Sequence, residues 1–261
     1  MALRLGAQNA RVTFARDLLH KRGREEHRAF AIEGATLLDE AIRSGATVRE
    51  LYVTAESAET PVVKRLEAAG VPTYLVGDRT FAKISDVETP TGILAVVDLR
   101  AAPLEAMFAE AGLVLLVADL NDPGNLGTLL RAADAFGASG AIAGDTGVDP
   151  YHPKAIRAGM GAHFRLPIVA AGPQAVEAAA SAAGAEMIGL ASGGAPLGDL
   201  AWPERTILAV GHERHGLGRW ASLCASLAGI PMTSDAESLN AAVAGGIGLY
   251  ESFTRGPSRR P

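Results

Sequence analysis

The 261-residue chain has a single cysteine, Cys224, and few aromatic residues, 5% in all. One thiol cannot close a disulfide within the chain, and without clustered histidines it makes no metal site. Its ordinary use is as a small core side chain. No apolar run reaches the eighteen or so residues that a membrane span needs, and Met1 to Ala10 lacks the apolar core of a signal peptide. The expectation is a soluble, cytoplasmic protein. Neither the phosphate-loop nor the dinucleotide glycine pattern follows any strand-like run, which argues against a nucleoside triphosphate and against NAD. The helical zinc pattern is missing too. His212, Glu213 and His215 sit together, but the histidines stand at i and i+3 in a glycine-bounded loop, and no third ligand is evident. No metal is expected.

What the chain does have is 48% hydrophobic residues against 20% charged, enough for one large core or two ordinary ones. The formal net charge of -5 weighs against a nucleic-acid partner only if charge is spread evenly, and it is not. Arg4, Arg11, Arg16, Lys21, Arg22, Arg24 and Arg28 crowd the N-terminal arm, opposed there by Asp17, Glu25 and Glu26. Such an arm suits phosphate, and it also suits water.

From "AFAIEG" onward, short apolar runs alternate with helix-like stretches: Ala29 to Ile32, a helix near Thr36 to Ser44, "ELYVT", a helix near Val62 to Ala69, "TYLVG" and "TGILAVVDL". This predicts an α/β sandwich. A proline-bearing stretch near Arg100 to Gly112 reads as a linker. The second half restarts with "LVLLVADL", an apolar run typical of strands buried on both faces. Helix, "AIAG", a helix near Pro153 to Met160, "FRLPIV", a helix near Gln174 to Ala183, "MIGLA" and "TILAVG" follow, predicting a mostly parallel sheet. A small-residue helix over Leu239 to Phe253 and a frayed tail close the chain.

Ligands of an open parallel sheet bind at the carboxyl ends of its strands, so the residues just past each apolar run carry the information. Three such places stand out: "NDPGNLGTLLR", "GHERHGLG" and "TSDAESLNAAVAGG". In the first, Leu126, Leu129, Leu130, Ala133 and Gly137 make a buried helix face, which leaves Asn125 and Arg131 off it. Asn125 reads either as a helix cap or as a ligand group, and Arg131 either as a solvated charge or as a functional one. In the third, Ser238 can cap the closing helix, with Asn240 in its first turn.

Taken together, "NDPGNLGTLLRAADAFGASG", "LAVGHERHGLG" and "IPMTSDAESLNAAVAGGIGLYES" resemble the three ordered motifs of the SpoU (TrmH-like) family of RNA ribose 2′-O-methyltransferases, within the SPOUT superfamily. "RGREEHRAFAIEG" and "ETPTGILAVV" resemble the small substrate-binding domain that many members carry, a fold shared with a ribosomal protein. The resemblance implies an RNA substrate-binding domain over 1–99, a linker over 100–112, a methyltransferase domain over 113–255 and a flexible tail over 256–261. It implies a deep trefoil knot in the C-terminal sheet, a homodimer, and S-adenosylmethionine as cofactor. Gly211, Ile230 and Leu239 match the cofactor contacts, with Glu213, Gly216, Met232 and Asn240 nearby. Arg131 matches a catalytic arginine, with Asn125 orienting the ribose or that arginine, and Glu213, Ser238 and Asn240 shaping the pocket.

Three residues depart from the usual pattern: Arg214 and His215 stand where small or acidic residues are common, and Gly218 where serine is. The expected substrate is structured RNA, ribosomal before transfer RNA. Methylation of a base nitrogen, and a non-catalytic RNA-binding protein that kept the fold, remain as alternatives.

Overall fold

Apolar runs bounded by glycine and proline become strands in both halves of the chain. The computed structural model describes residues 3–212, 214–233 and 238–256. Contacts divide it into two units, one running to Arg100 and taking in Tyr151–Phe164, the other holding Ala101–Pro150 and the chain from Arg165.

The first unit contains β1 (Leu3–Leu5), α1 (Ala10–Asp17), α2 (Lys21–His27), β2 (Ala29–Glu33), α3 (Ala35–Arg43), β3 (Val48–Val53), α4 (Pro61–Ala68), β4 (Thr73–Val76), α5 (Asp78–Phe81) and β5 (Ile93–Asp98). Its sheet runs β1-β4-β3-β5-β2, with β5 antiparallel to both neighbours. One core holds Val12, Leu18, Tyr52, Phe81 and Ile84; a second holds Leu38, Val53 and Val63 with Tyr151, Ile156 and Phe164. The Phe30 ring lies 5.1 Å from that of Tyr151 and 6.2 Å from that of Phe164. The elements before Ala29 have little hydrophobic periodicity: α2 reads KRGREEH, with no large apolar residue, and α1 buries only Val12 and Ala15. Arg24 is not part of a solvated arm. It is 3% exposed, and its guanidinium donates to the Leu18 carbonyl at 2.7 Å, satisfying an acceptor just past the end of α1.

The second unit contains β6 (Gly112–Val117), α6 (Pro123–Ala135) and β7 (Gly140–Gly144). Next come α7 (Pro153–Gly159) and most of α8 (Ala162–Arg165), which group with the first unit. Then β8 (Ile168–Ala171), α9 (Pro173–Ala183), β9 (Glu186–Pro196), β10 (Arg205–Val210), β11 (Ser226–Gly229) and α10 (Ala241–Arg255) complete the second unit. Its sheet order is β11-β9-β10-β6-β7-β8, and every pairing is parallel. The stretch read as a linker carries a 3₁₀ turn, Leu104–Phe108, whose Met107 and Phe108 are buried in this unit's core.

Three local expectations change. "FRLPIV" is not one strand: Phe164 and Arg165 end α8, and pairing starts at Ile168, after a proline that has no N–H for a ladder. Gly137 is not on the buried face of α6. It is exposed at φ +70°, and its N–H and that of Ala138 close the helix end on Asp134 and Ala133. The small residues of α10 serve packing within the chain: a Cβ on Gly245 would lie 2.3 Å from Leu129, and one on Gly248 2.9 Å from Leu208. Of the expected tail, only Gly256 is among the described residues.

Candidate active site

Because all six strands run the same way, the loops after β6, β10 and β11 leave the sheet at one edge. The loop after β10 closes on itself. His212 N–H donates to the Gly216 carbonyl and Gly216 N–H to the His212 carbonyl, both at 2.8 Å. A Cβ on Gly211 would stand 2.3 Å from the Gly216 carbonyl carbon. Gly216 and Gly218 have φ +57° and +51°, left-handed backbone that a side chain would strain, which accounts for glycine rather than serine at 218. The glycines thus serve the loop's own closure. The rings of His212 and His215 meet at a tilt of 37° with centroids 4.9 Å apart, and His212 Nδ1 accepts the Arg214 N–H at 3.0 Å.

Gly211, Gly216, Ile230, Met232 and Leu239 line one cleft with Ser238, as the resemblance expects. It is a cavity of about 170 Å³, open to solvent and walled by Leu190, Ala228 and Ala244 as well. Glu213 lies outside the described residues.

The polar side chains sort differently from the expectation. The cap of α6 is Asp122, whose carboxylate accepts the Asn125 N–H at 2.8 Å, so Asn125 is not the cap. Nor does Ser238 cap α10. Asn240 does, its Oδ1 accepting the N–H groups of Ala242 and Val243 at 2.9 and 3.2 Å. Asn240 Nδ2 then donates to Asn125 Oδ1 at 3.1 Å, tying the starts of α6 and α10 together. Asn240 stands beside this cleft rather than in its wall. Arg131 is exposed and makes no hydrogen bond or ion pair among the described residues. Six residues of helix carry it about 9 Å along and roughly 120° around the axis from Asn125. The asparagine therefore does not orient it.

Sequence reasoning missed a cluster at the same edge. Asp119, Asn121, Arg219 and Trp220 join the loop after β6 to the chain after β10, and nothing local in the sequence marks them as partners. Cys224 is half-buried, and burial pushes its thiol up to about 11, so at neutral pH it stays protonated and inert.

The model of the SpoU rRNA methylase family matches residues 112–250, and that of the MRM3-like substrate binding domain matches 9–95. The chain belongs to the SpoU rRNA methylase family. Among its SpoU relatives is the 23S rRNA (guanosine(2553)-2'-O)-methyltransferase RlmP of Bacillus subtilis (strain 168), 34% identical over 94% of this chain and 96% of that protein. A second is the 23S rRNA (uridine(2479)-2'-O)-methyltransferase of Streptomyces viridochromogenes, 30% identical over 99% of this chain and 94% of that protein. The solved SpoU methyltransferase AviRb from that organism, in complex with AdoMet, superposes with a TM-score of 0.85 at 30% identity, covering 97% of this chain and all of that one. An AdoMet-bound rRNA methyltransferase from Sinorhizobium meliloti gives a TM-score of 0.84 at 30% identity, over 96% of this chain and 97% of that one.

SpoU methylases use S-adenosylmethionine. The residues present fit that cofactor. The walls of the cleft are mostly apolar, and Ser192, Ser238 and the loop backbone add a few polar groups, the lining that a small-molecule site uses.

Proposed function

We propose that the chain methylates a ribose 2′-hydroxyl in structured ribosomal RNA. The observation that carries this reading is the joining of five motif residues into one cleft beside the start of α6, the helix that bears an unpaired arginine. When bound there, S-adenosylmethionine supplies an electrophilic methyl group. The chain's own groups must then position the hydroxyl and stabilise the charge that develops on its oxygen. A guanidinium keeps its proton at working pH, so Arg131 grips the phosphate beside the target ribose and polarises the hydroxyl rather than accepting its proton. Asn125 and Asn240 hold the two helix starts in register, while Ser238 lines the pocket. To test this, the purified chain is given labelled cofactor and unmodified ribosomal RNA, and the product is digested with nuclease. Label in one dinucleotide that resists cleavage is expected; label on a base rejects the ribose reading.

In this reading residues 1–99 bind RNA and 113–255 carry out the transfer, joined through 100–112. The sheet order supports a trefoil knot: β10 follows β9 in the chain yet lies between β9 and β6, and α10 then returns to pack on α6. No helix among the described residues is long and apolar enough to cross a membrane, and we assign the work to the cytoplasm.

The homodimer rests on large side chains rather than on the small ones of α10. Val243 and Tyr250 are 51% exposed and Phe253 44%, and the Phe136 ring lies 5.8 and 5.9 Å from those of Tyr250 and Phe253. This apolar strip flanks a groove that also holds Asn125 and Asn240, so a second copy seated there would adjoin the reacting groups. Light scattering at micromolar concentration is expected to give twice the chain mass, and Tyr250→Lys with Phe253→Lys to shift it to one. A monomeric wild-type protein rejects the dimer.

A further inference from the structure

Asp119, just past β6, has φ +54°, a left-handed conformation uncommon outside glycine, asparagine and aspartate. Its carboxylate is fully engaged. Oδ2 accepts from Arg219 Nε and from Trp220 Nε1, both at 2.8 Å, and Oδ1 accepts from the Arg219 Nη2 at 3.0 Å. Arg219 reaches on to the Asp145 carboxylate and, at 3.1 Å, to the Thr146 hydroxyl, both just past β7. Trp220 is fully buried, so one end of this network is anchored in the core.

Glycines make the room for it. A Cβ on Gly144 would lie 2.1 Å from Asp119 Oδ1, and one on Gly172 2.7 Å from Asp145 Oδ2. Burial alone would raise the Asp119 carboxyl, but the bonds from Arg219 and Trp220 outweigh it and hold the group below the usual carboxylate range. Paired, two-pronged bonds of this kind impose geometry as well as attraction.

The cluster joins two loops at defined points. Arg219 and Trp220 come three and four residues after Gly216, which with His212 closes the loop beside the cofactor cleft. Asp119 stands two residues before Asn121 and three before the Asp122 cap of α6. A second contact runs alongside, Asn121 Nδ2 lying 3.3 Å from His212 Nε2. We infer that Asp119 and Arg219 form a positioning latch that sets where α6, with Asn125 and Arg131, starts relative to the cofactor loop, and so aligns the acceptor hydroxyl with the methyl donor. This rests on the methyltransferase reading above. The latch touches neither cofactor nor ribose, so its loss misaligns the groups without removing a contact to either.

The test is a split between rate and affinity. Arg219→Met keeps an unbranched stem but removes the fork; Arg219→Lys keeps the charge; Asp119→Asn keeps an acceptor for Trp220 and is nearly isosteric, so it covers the case in which Arg219→Met fails to fold. For Arg219→Met we expect kcat, per folded molecule, to drop at least about tenfold, with the cofactor dissociation constant from calorimetry within about threefold of wild type. Asp119→Asn and Arg219→Lys are expected to fall between. A fold-stabilising role alone would lower the melting temperature and leave kcat unchanged. That result, or a loss confined to cofactor affinity, overturns the latch. A wild-type chain that transfers no methyl group to RNA overturns the methyltransferase reading and the latch with it, whereas an active wild type matched by the variants overturns the latch alone.

Discussion

Arg131→Ala is expected to lower methyl transfer by two or more decades, because several kcal/mol of transition-state stabilisation disappear with the guanidinium. Cofactor binding is expected to stay within about twofold of wild type, since Arg131 does not line the cofactor cleft. Its side chain has no partner to lose among the described residues, so folding should be unaffected and the rate change can be read directly. Arg131→Lys separates two mechanisms. Lysine keeps a positive charge but lacks the planar fork that engages two phosphate oxygens. A little activity should survive, with a rate that keeps rising with pH as the ribose hydroxyl ionises. Near-normal rates with a plateau at the pKa of an amine would instead mark the residue at this position as a true general base.

Reversing Arg16, Arg22 and Arg28 to glutamate is expected to cut RNA affinity by about two decades at low salt. The slope of log affinity against log salt should flatten by roughly 0.7 to 0.9 per lost phosphate contact. The choice follows from how charge is distributed in the first unit. Arg43, Arg49, Lys64, Arg65 and Arg157 are all paired with carboxylates of that unit. The side chains of Arg4, Arg16, Arg22, Arg28, Arg79 and Lys83 make no ion pair or hydrogen bond among the described residues. All six lie on β1, α1, α2 and α5 or one or two residues beyond their ends, and Arg16 with Arg22 and Arg28 are exposed there. Cofactor affinity is expected to hold in the triple variant. Arg24→Glu, by contrast, should unfold the first unit, because it buries a carboxylate against the Leu18 carbonyl. An unaltered salt slope in the triple variant would remove the arm from RNA binding.

The parallel sheet, the helices that pack on it and the strand ends from which the three loops leave were legible in the amino-acid order. Each depends on local physics: apolar runs such as "LVLLVADL" bury on both faces, and α6 shows its apolar face at helical spacing. Gly211, Gly216, Ile230, Met232 and Leu239 were picked out by resemblance to the family's motifs, and folding brings them to the wall of one cleft. Three things were decided by tertiary contacts. What an asparagine bonds beyond its own helix depends on where two helix starts meet, so Asn240, which caps α10 locally, also bonds Asn125, 115 residues away. Whether an arginine is solvated or buried depends on the carbonyls that folding brings to it, so Arg24 left the basic arm while its neighbour Arg22 stayed. The latch has no local signature at all: Asp119 and Arg219 are 100 residues apart, and only the pairing of β6 beside β10, with glycines clearing space around the carboxylates, makes them partners. Periodicity and turn chemistry act over a few residues and can be read along the chain; charge pairing and capping across loops depend on distances that exist only once the sheet has formed.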